Sequence, residues 1–476
     1  MLTHIQQMLV VFFATIYMTG IASCKKLVAI PPPVNSVTTS QVFSTDQEAT
    51  EAMSGVYYNM MHGGATFSEG MTIYPGASAD ELVFFSRNNT GNIQFQENQL
   101  LPNNLNVIGF WNQTYATIYG CNAVIAGTQS SVSIHDSVKN ELAGEAEFVR
   151  GLSYFYLVNL FGEVPLVTTT DYNKTSLLPR TAINAIYSAI VSDLKDAQMR
   201  LAADYSVGQN QRIVPNRWAA MALLARVYLY TGDWTDAANQ ATSVLANTSL
   251  YQLAPGLGNV FSANSTEAIW QLQLATQISP YNATPEGFYF IPNSPTAPPP
   301  NMYLNATLLG SFEASDQRRT QWIDSTKYLG KVYYYPYKYT IGGGNAVPNG
   351  AATQYYTVLR LAEQYLIRAE AEAKGASGGI TAAIADLNTI RNRAGLANYS
   401  GTAIQDSVLT SIYHECQVEF FAEWGHRWMD LKRWGLASSV LSANKGILVT
   451  ANALWYPIPI NELQTDPNLT QNAGYN

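Results

Sequence analysis

Apolar residues recur along most of this chain at the three-or-four spacing that puts them on one face of a helix. Asp46 to Met61 opens with an acidic first turn after Ser44-Thr45 and predicts a helix. Leu105 to Gly127 sets Trp111, Tyr115, Ile118, Tyr119 and Val124 on one side. Asp136 to Leu160 holds the period through Leu142, Ala146, Val149, Ser153, Tyr156 and Leu160, and stops at Gly162 with Pro165 beyond. Thr181 to Leu201 is a further helix. Asn216 to Leu245 predicts two, with small residues Ala222, Ala225, Ala237, Ala238 and Ala241 at helical spacing and Gly232 as the turn. Small residues let helices approach closely, as in stacked tetratricopeptide-type pairs. Tyr355 to Ala394 repeats the theme, turning at Gly375 to Gly379.

The pattern changes between 251 and 354. Prolines, glycines and tyrosines crowd there, including Pro298-Pro299-Pro300, Tyr333-Tyr334-Tyr335 and Gly342-Gly343-Gly344. Long irregular stretches in compact proteins carry function or are disordered, and the tyrosine content argues for order. Short strands are expected at Ala268 to Leu274 and Lys331 to Tyr339.

The N-terminus is different again. Met8 to Met18 is an apolar run of signal-peptide length, too short to span a bilayer. Thr19 to Cys24 places small residues before a cysteine, a resemblance to the lipobox of bacterial lipoproteins, in which the cysteine carries the lipid. Lys25 to Thr39, with Pro31-Pro32-Pro33, is expected to be a stiff tether. No later stretch is apolar for long enough to cross a membrane.

Composition adds exclusions. Of 476 residues, 13% are charged, against about 25% in ordinary soluble domains. Asn, Gln, Ser, Thr and 30 Tyr must cover the surface instead, and tyrosine suits a wet binding surface. A net charge of −8 without basic clusters argues against nucleic acid. Three cysteines, widely spaced, make no disulfide framework, and Cys121 and Cys416 are expected to pack as small hydrophobes. No histidine pair has metal-ligand spacing, so no metal or other cofactor is expected. Glu415, Glu419 and Glu423 share one helix face and resemble a glycosidase carboxylate set. Arg427, Lys432 and Arg433 follow closely, so ion pairing is the better reading. Glu147 and Arg150 are expected to pair along their helix.

Several blocks in order, taken together, resemble the SusD/RagB family of outer-membrane lipoproteins. They are Val42-Phe43 to Tyr57, Ala79-Asp80-Glu81, Trp111 to Asn122, Gly144 to Gly151 running into Leu160 to Leu166, Ile390 to Gly395, Gly425 to Gly435, and Tyr456-Pro457-Ile458-Pro459 with Asn468 to Asn472. The resemblance implies a mainly α-helical solenoid of four degenerate tetratricopeptide-like pairs, plus an irregular loop-rich lobe carrying the ligand site. It divides the chain into a signal peptide (1–23), anchor and tether (24–39), an N-terminal helical region (40–250), the loop-rich lobe (251–354) and a C-terminal helical region (355–476). It implies no catalytic activity. The role would be capture of an oligosaccharide and delivery to a SusC-like TonB-dependent β-barrel transporter, from a position lipid-anchored through Cys24 in the outer membrane, on the cell surface. A peptide ligand is the alternative within the family, an exported glycoside hydrolase and a helical scaffold outside it. A sugar has an apolar face and a hydroxyl rim, which aromatic rings and planar polar groups on loops complement. The candidates are Asp80, Glu81, Phe84, Phe85 and Arg87, and, on the lobe, Tyr281, Phe288, Tyr289, Tyr303, Trp322 and Tyr328.

Overall fold

A computed structural model describes residues 39–62, 66–273, 282–294 and 301–475. Cys24, the signal-peptide run, the tether up to residue 38 and Tyr281 lie outside them.

The fold is mainly helical. The long helices are α1 (Asp46–His62), α2 (Leu105–Ser130), α3 (Asp136–Phe161), α4 (Ile183–Arg200), α5 (Arg217–Thr231), α6 (Trp234–Ala246), α7 (Leu361–Ala373), α8 (Gly379–Arg393) and α9 (Gln405–Glu419). Their starts are written in the sequence. Thr45 caps α1: the Glu48 N–H donates to Thr45 Oγ1 (3.2 Å), whose hydroxyl donates to the Glu48 carboxylate (3.0 Å). Asn104, Asn216 and Asp233 cap α2, α5 and α6 by accepting backbone N–H bonds. Gly232 ends α5 at φ 79°, a left-handed position that glycine takes without strain.

Each of these helices packs on the next, α1 through α9, so the chain builds a continuous series of neighbours. Two-residue and five-residue turns make α5–α6 and α7–α8 antiparallel hairpins, and α6 packs on α7 to join them. The small residues Ala219, Ala222, Ala225, Ala237, Ala241, Ala362 and Ala369 are fully buried at these contacts.

The segment between α6 and α7 holds short strands in two-stranded antiparallel pairs. β1 (Leu82–Phe84) reaches in from the N-terminal part to pair with β3 (Met302–Leu304). β2 (Ala268–Leu272) pairs with β6 (Tyr356–Arg360), and β4 (Ile323–Tyr328) with β5 (Lys331–Pro336). Two boundaries differ from expectation. The helix expected from Tyr355 starts at Leu361, because Tyr-Thr-Val-Leu-Arg is buried along its whole length as a strand. β5 ends at Pro336, which has no N–H to continue a ladder.

A buried ionic lattice locks this segment to the C-terminal helices. Arg318 bonds Glu415 (2.6 Å) and Glu419 (2.8 Å), and also holds Asp316. Arg360 bonds Glu419 (2.6 Å), Glu423 (2.7 Å) and Glu267 (3.0 Å). Arg393 reaches Glu267 and Glu419, and Lys338 reaches Glu423. Ion pairing of the three glutamates therefore holds, but their expected partners do not. Arg427 pairs with Asp80, Arg433 with Glu370 and Asp430, and Lys432 donates to the Asn159 carbonyl. Likewise Arg150 grips Asp193 side-on through Nε and Nη2 and Glu147 pairs with Arg200, so the intrahelical pair expected within α3 is replaced by links to α4. Charges this buried stay ionised only when they are paired, and the neighbouring helix supplied the better geometry.

Candidate functional site

The period-2 alternation of the short strands builds an aromatic surface. In β1, Leu82 and Phe84 point into the core while Val83 points out, and the next residue on that outer side is Phe85. Tyr303 stands opposite Val83 on β3. The β4–β5 hairpin turns through Leu329 (φ 47°) and Gly330 (φ 83°), the two positive values of a type I′ turn. That register puts Tyr328 opposite Lys331, and Tyr333 two residues further along the same face.

The four rings interlock edge to face. Phe85 lies 6.1 Å from Tyr328 and 5.5 Å from Tyr333, and Tyr333 lies 5.2 Å from Tyr303. All four are half-buried, so each keeps part of its ring in solvent. The Lys331 ammonium sits 5.0 Å from the Tyr333 ring centre and 5.9 Å from that of Tyr303, within cation–π range. Arg87 is exposed beside them, tied to Glu97 at 2.6 Å. Burial raises the Tyr303 phenol above its ordinary range, with Tyr333 adding to the rise and Arg87 opposing it. The surface thus combines ring faces, phenol hydroxyls and two cationic groups, with the polar Ser86 to Asn89 loop along its edge.

A second group stands near the helix Pro285–Phe290. Phe288 is half exposed. Tyr289 is half-buried, its phenol raised by burial and by Tyr74 and Glu69. Tyr74 in turn packs 6.4 Å from Phe84. Burial also raises the Glu69 carboxyl, and the Ser68 hydroxyl bonded to it opposes the rise.

The structure therefore brings together Phe85, Arg87 and Tyr328 of the expected residues, along with Tyr303. It corrects three others. Asp80 is buried and held by both arms of Arg427 (2.8 and 3.0 Å) and by Asn444. Burial pushes its carboxyl up, but these partners outweigh that and hold it below the usual range. Glu81 is 1% exposed, its carboxyl pushed up to about 8 by burial and then by Asp80. Trp322 is equally buried and donates to the Leu257 carbonyl at 2.9 Å. These three are interior, where no ligand reaches; Phe84, on the inward side of β1, joins them. Tyr281 falls outside the described residues. Tyr333 and Lys331 were the residues missed. Their signal was the alternation Lys331-Tyr333-Tyr335 beside a turn whose first residue, Leu329, is not a usual turn former.

The glutamates that resemble a glycosidase set do not face the rings. Glu415, Glu419 and Glu423 are committed to the ionic lattice, and three arginines hold Glu419 well below the carboxylate range despite its burial. Among the described residues, no group of three or more His, Cys, Asp or Glu could hold a metal ion, and no helix is long and apolar enough to cross a membrane. Cys121 and Cys416 are free and buried.

A helical scaffold that carries rings and planar polar groups on strand ends is a class of architecture suited to ligand capture. The sequence assigns it more narrowly. The SusD family model matches residues 310–475, and a second model, described as starch-binding and associating with the outer membrane, matches residues 36–229. A SusD-like protein of Formosa agariphila is 30% identical over 421 residues, 78% of this chain and 81% of that one. The starch-binding protein SusD of Bacteroides thetaiotaomicron is 33% identical over 125 residues, 25% of this chain and 21% of that one. Among solved structures, a SusD superfamily protein of Bacteroides vulgatus superposes with a TM-score of 0.78 at 22% identity, covering 90% of this chain and 99% of its own. A laminarin-binding SusD-like protein does so with a TM-score of 0.73 at 24% identity, again over 90% and 99%. This chain belongs to the SusD family.

Proposed function

We propose that this protein is a non-catalytic binding subunit that captures an oligosaccharide on the Phe85–Tyr303–Tyr328–Tyr333 surface and passes it to a TonB-dependent β-barrel transporter. In this reading lipid on Cys24 holds it to the outer membrane, facing the cell exterior. The observation that carries the reading is the cluster of four half-buried rings flanked by Lys331 and Arg87. Sugar rings stack on such faces while their hydroxyls meet the polar edge. The starch-binding and laminarin-binding relatives favour a glucan as ligand. Phe288 and Tyr289 belong to the same reading as flanking contacts for a longer chain.

Affinity electrophoresis and calorimetry with an α-glucan and β-1,3-glucan panel test this directly. Binding without release of hydrolysis products is expected, and Tyr333→Ala is expected to weaken it about tenfold, the loss of one ring's worth of stacking. Reducing sugar released by the purified protein, or tight binding of peptides with none of glycans, overturns the reading.

A further inference from the structure

A separate cleft opens where α1, α3, the 207–214 loop and the end of β2 meet. Its cavity is about 480 Å³, inside the roughly 300–1,000 Å³ range of small-molecule sites. No residue of the ring surface lines it.

Its chemistry is specific. Glu145 projects from α3 into the cleft and is 3% exposed. Its Oε2 accepts from the Tyr57 hydroxyl at 2.7 Å, and the carboxyl borders the open space of the cleft. Burial pushes this carboxyl up to about 8, so at neutral pH it is protonated and can donate as well as accept. At the mouth, the Tyr58 and His62 rings stack at 4.5 Å and 22°, and Tyr58 is 42% exposed, giving a flat apolar face at an opening. Gln211 and Gln273 line the cleft with their amides steadied by the Tyr355 hydroxyl (3.0 and 3.5 Å). Among the described residues, the lining is neutral apart from Glu145 and His62, which suits an uncharged ligand.

We propose that this cleft is a second ligand site, taking an uncharged, hydroxyl-bearing molecule of one or two sugar units, held by Glu145 and Tyr57 and covered by the Tyr58–His62 stack. It operates independently of the ring surface. Saturation-transfer NMR with glucose, maltose and laminaribiose tests it on the full chain, four variants and one double variant. Disaccharide signal should survive Tyr333→Ala and Glu145→Gln, whose amide keeps the hydrogen bonds. It should fall about tenfold in Tyr58→Ala, and in Ser54→Trp, which plugs the cleft from the exposed side of α1 and leaves the core untouched. Signal retained when Ser54→Trp is combined with Tyr333→Ala, or absent from the parent protein, overturns the proposal. Polysaccharide binding lost only in Tyr333→Ala bears on the ring surface instead, so the two sites succeed or fail separately.

Discussion

At the scale of single residues, the largest consequences come from carboxyls that the fold refuses to solvate. Burial, with Asp80 beside it, pushes the Glu81 carboxyl from about 4.5 up to about 8. Between those values the folded state holds a proton that the unfolded chain has released. Stability therefore falls as pH rises from about 4.5 towards 8, and is unaffected by this group below that window. Glu81→Gln, which cannot ionise, is expected to remove part of that fall in urea unfolding at pH 5 and pH 8; an unchanged slope would refute the burial argument. The sequence showed Asp80 and Glu81 as neighbouring acids near a predicted binding loop, and nothing local distinguishes a ligand contact from an interior ion pair. The answer lay in Arg427, far along the chain, which only the fold brings within 2.8 Å.

At the scale of elements, much of the architecture was legible. Capping residues at Thr45, Asn104 and Asn216 and the glycine stops at 162 and 232 mark real helix ends, because caps act within a turn. The site was legible only in part. Phe85, Arg87, Tyr303 and Tyr328 could be picked out as loop aromatics and a cation. The pairing that makes them a surface depends on register between segments more than two hundred residues apart. The β4–β5 turn hid because Leu329 occupies a left-handed position that costs an ordinary side chain about 1–2 kcal/mol. Leu329 is 89% exposed, so its side chain contributes little packing in return. Leu329→Asn is expected to stabilise the protein by about 0.5–1 kcal/mol in thermal unfolding, with glycan affinity unchanged. A drop in stability would mean that the leucine makes a contact worth more than its backbone strain.

At the scale of the molecule, the ionic lattice ties the irregular segment to the C-terminal helices, beside a hydrophobic core that segment and helices share. Glu267, Asp316, Arg318, Lys338 and Arg360 come from the segment, and Arg393, Glu415, Glu419 and Glu423 from the C-terminal part. Removing one partner from such a network strands charges in the interior. Glu419→Ala is expected to cost about 3–5 kcal/mol, measured by chemical denaturation. The pairs are shielded from solvent, so moderate salt should change parent stability far less than it would change surface pairs. A strong salt dependence would place the lattice in contact with water.

The Leu329–Gly330 hairpin has a consequence of another kind. It supplies two of the four rings from one contiguous stretch of fourteen residues, bounded by Ile323 and Pro336. The lattice behind it is anchored by residues outside that stretch. On the proposed reading, the hairpin is a part of the recognition surface that can be exchanged without touching the lattice. Swapping it between relatives is expected to shift ligand preference while leaving stability unchanged, which would let one scaffold take up new ligands without relearning how to fold.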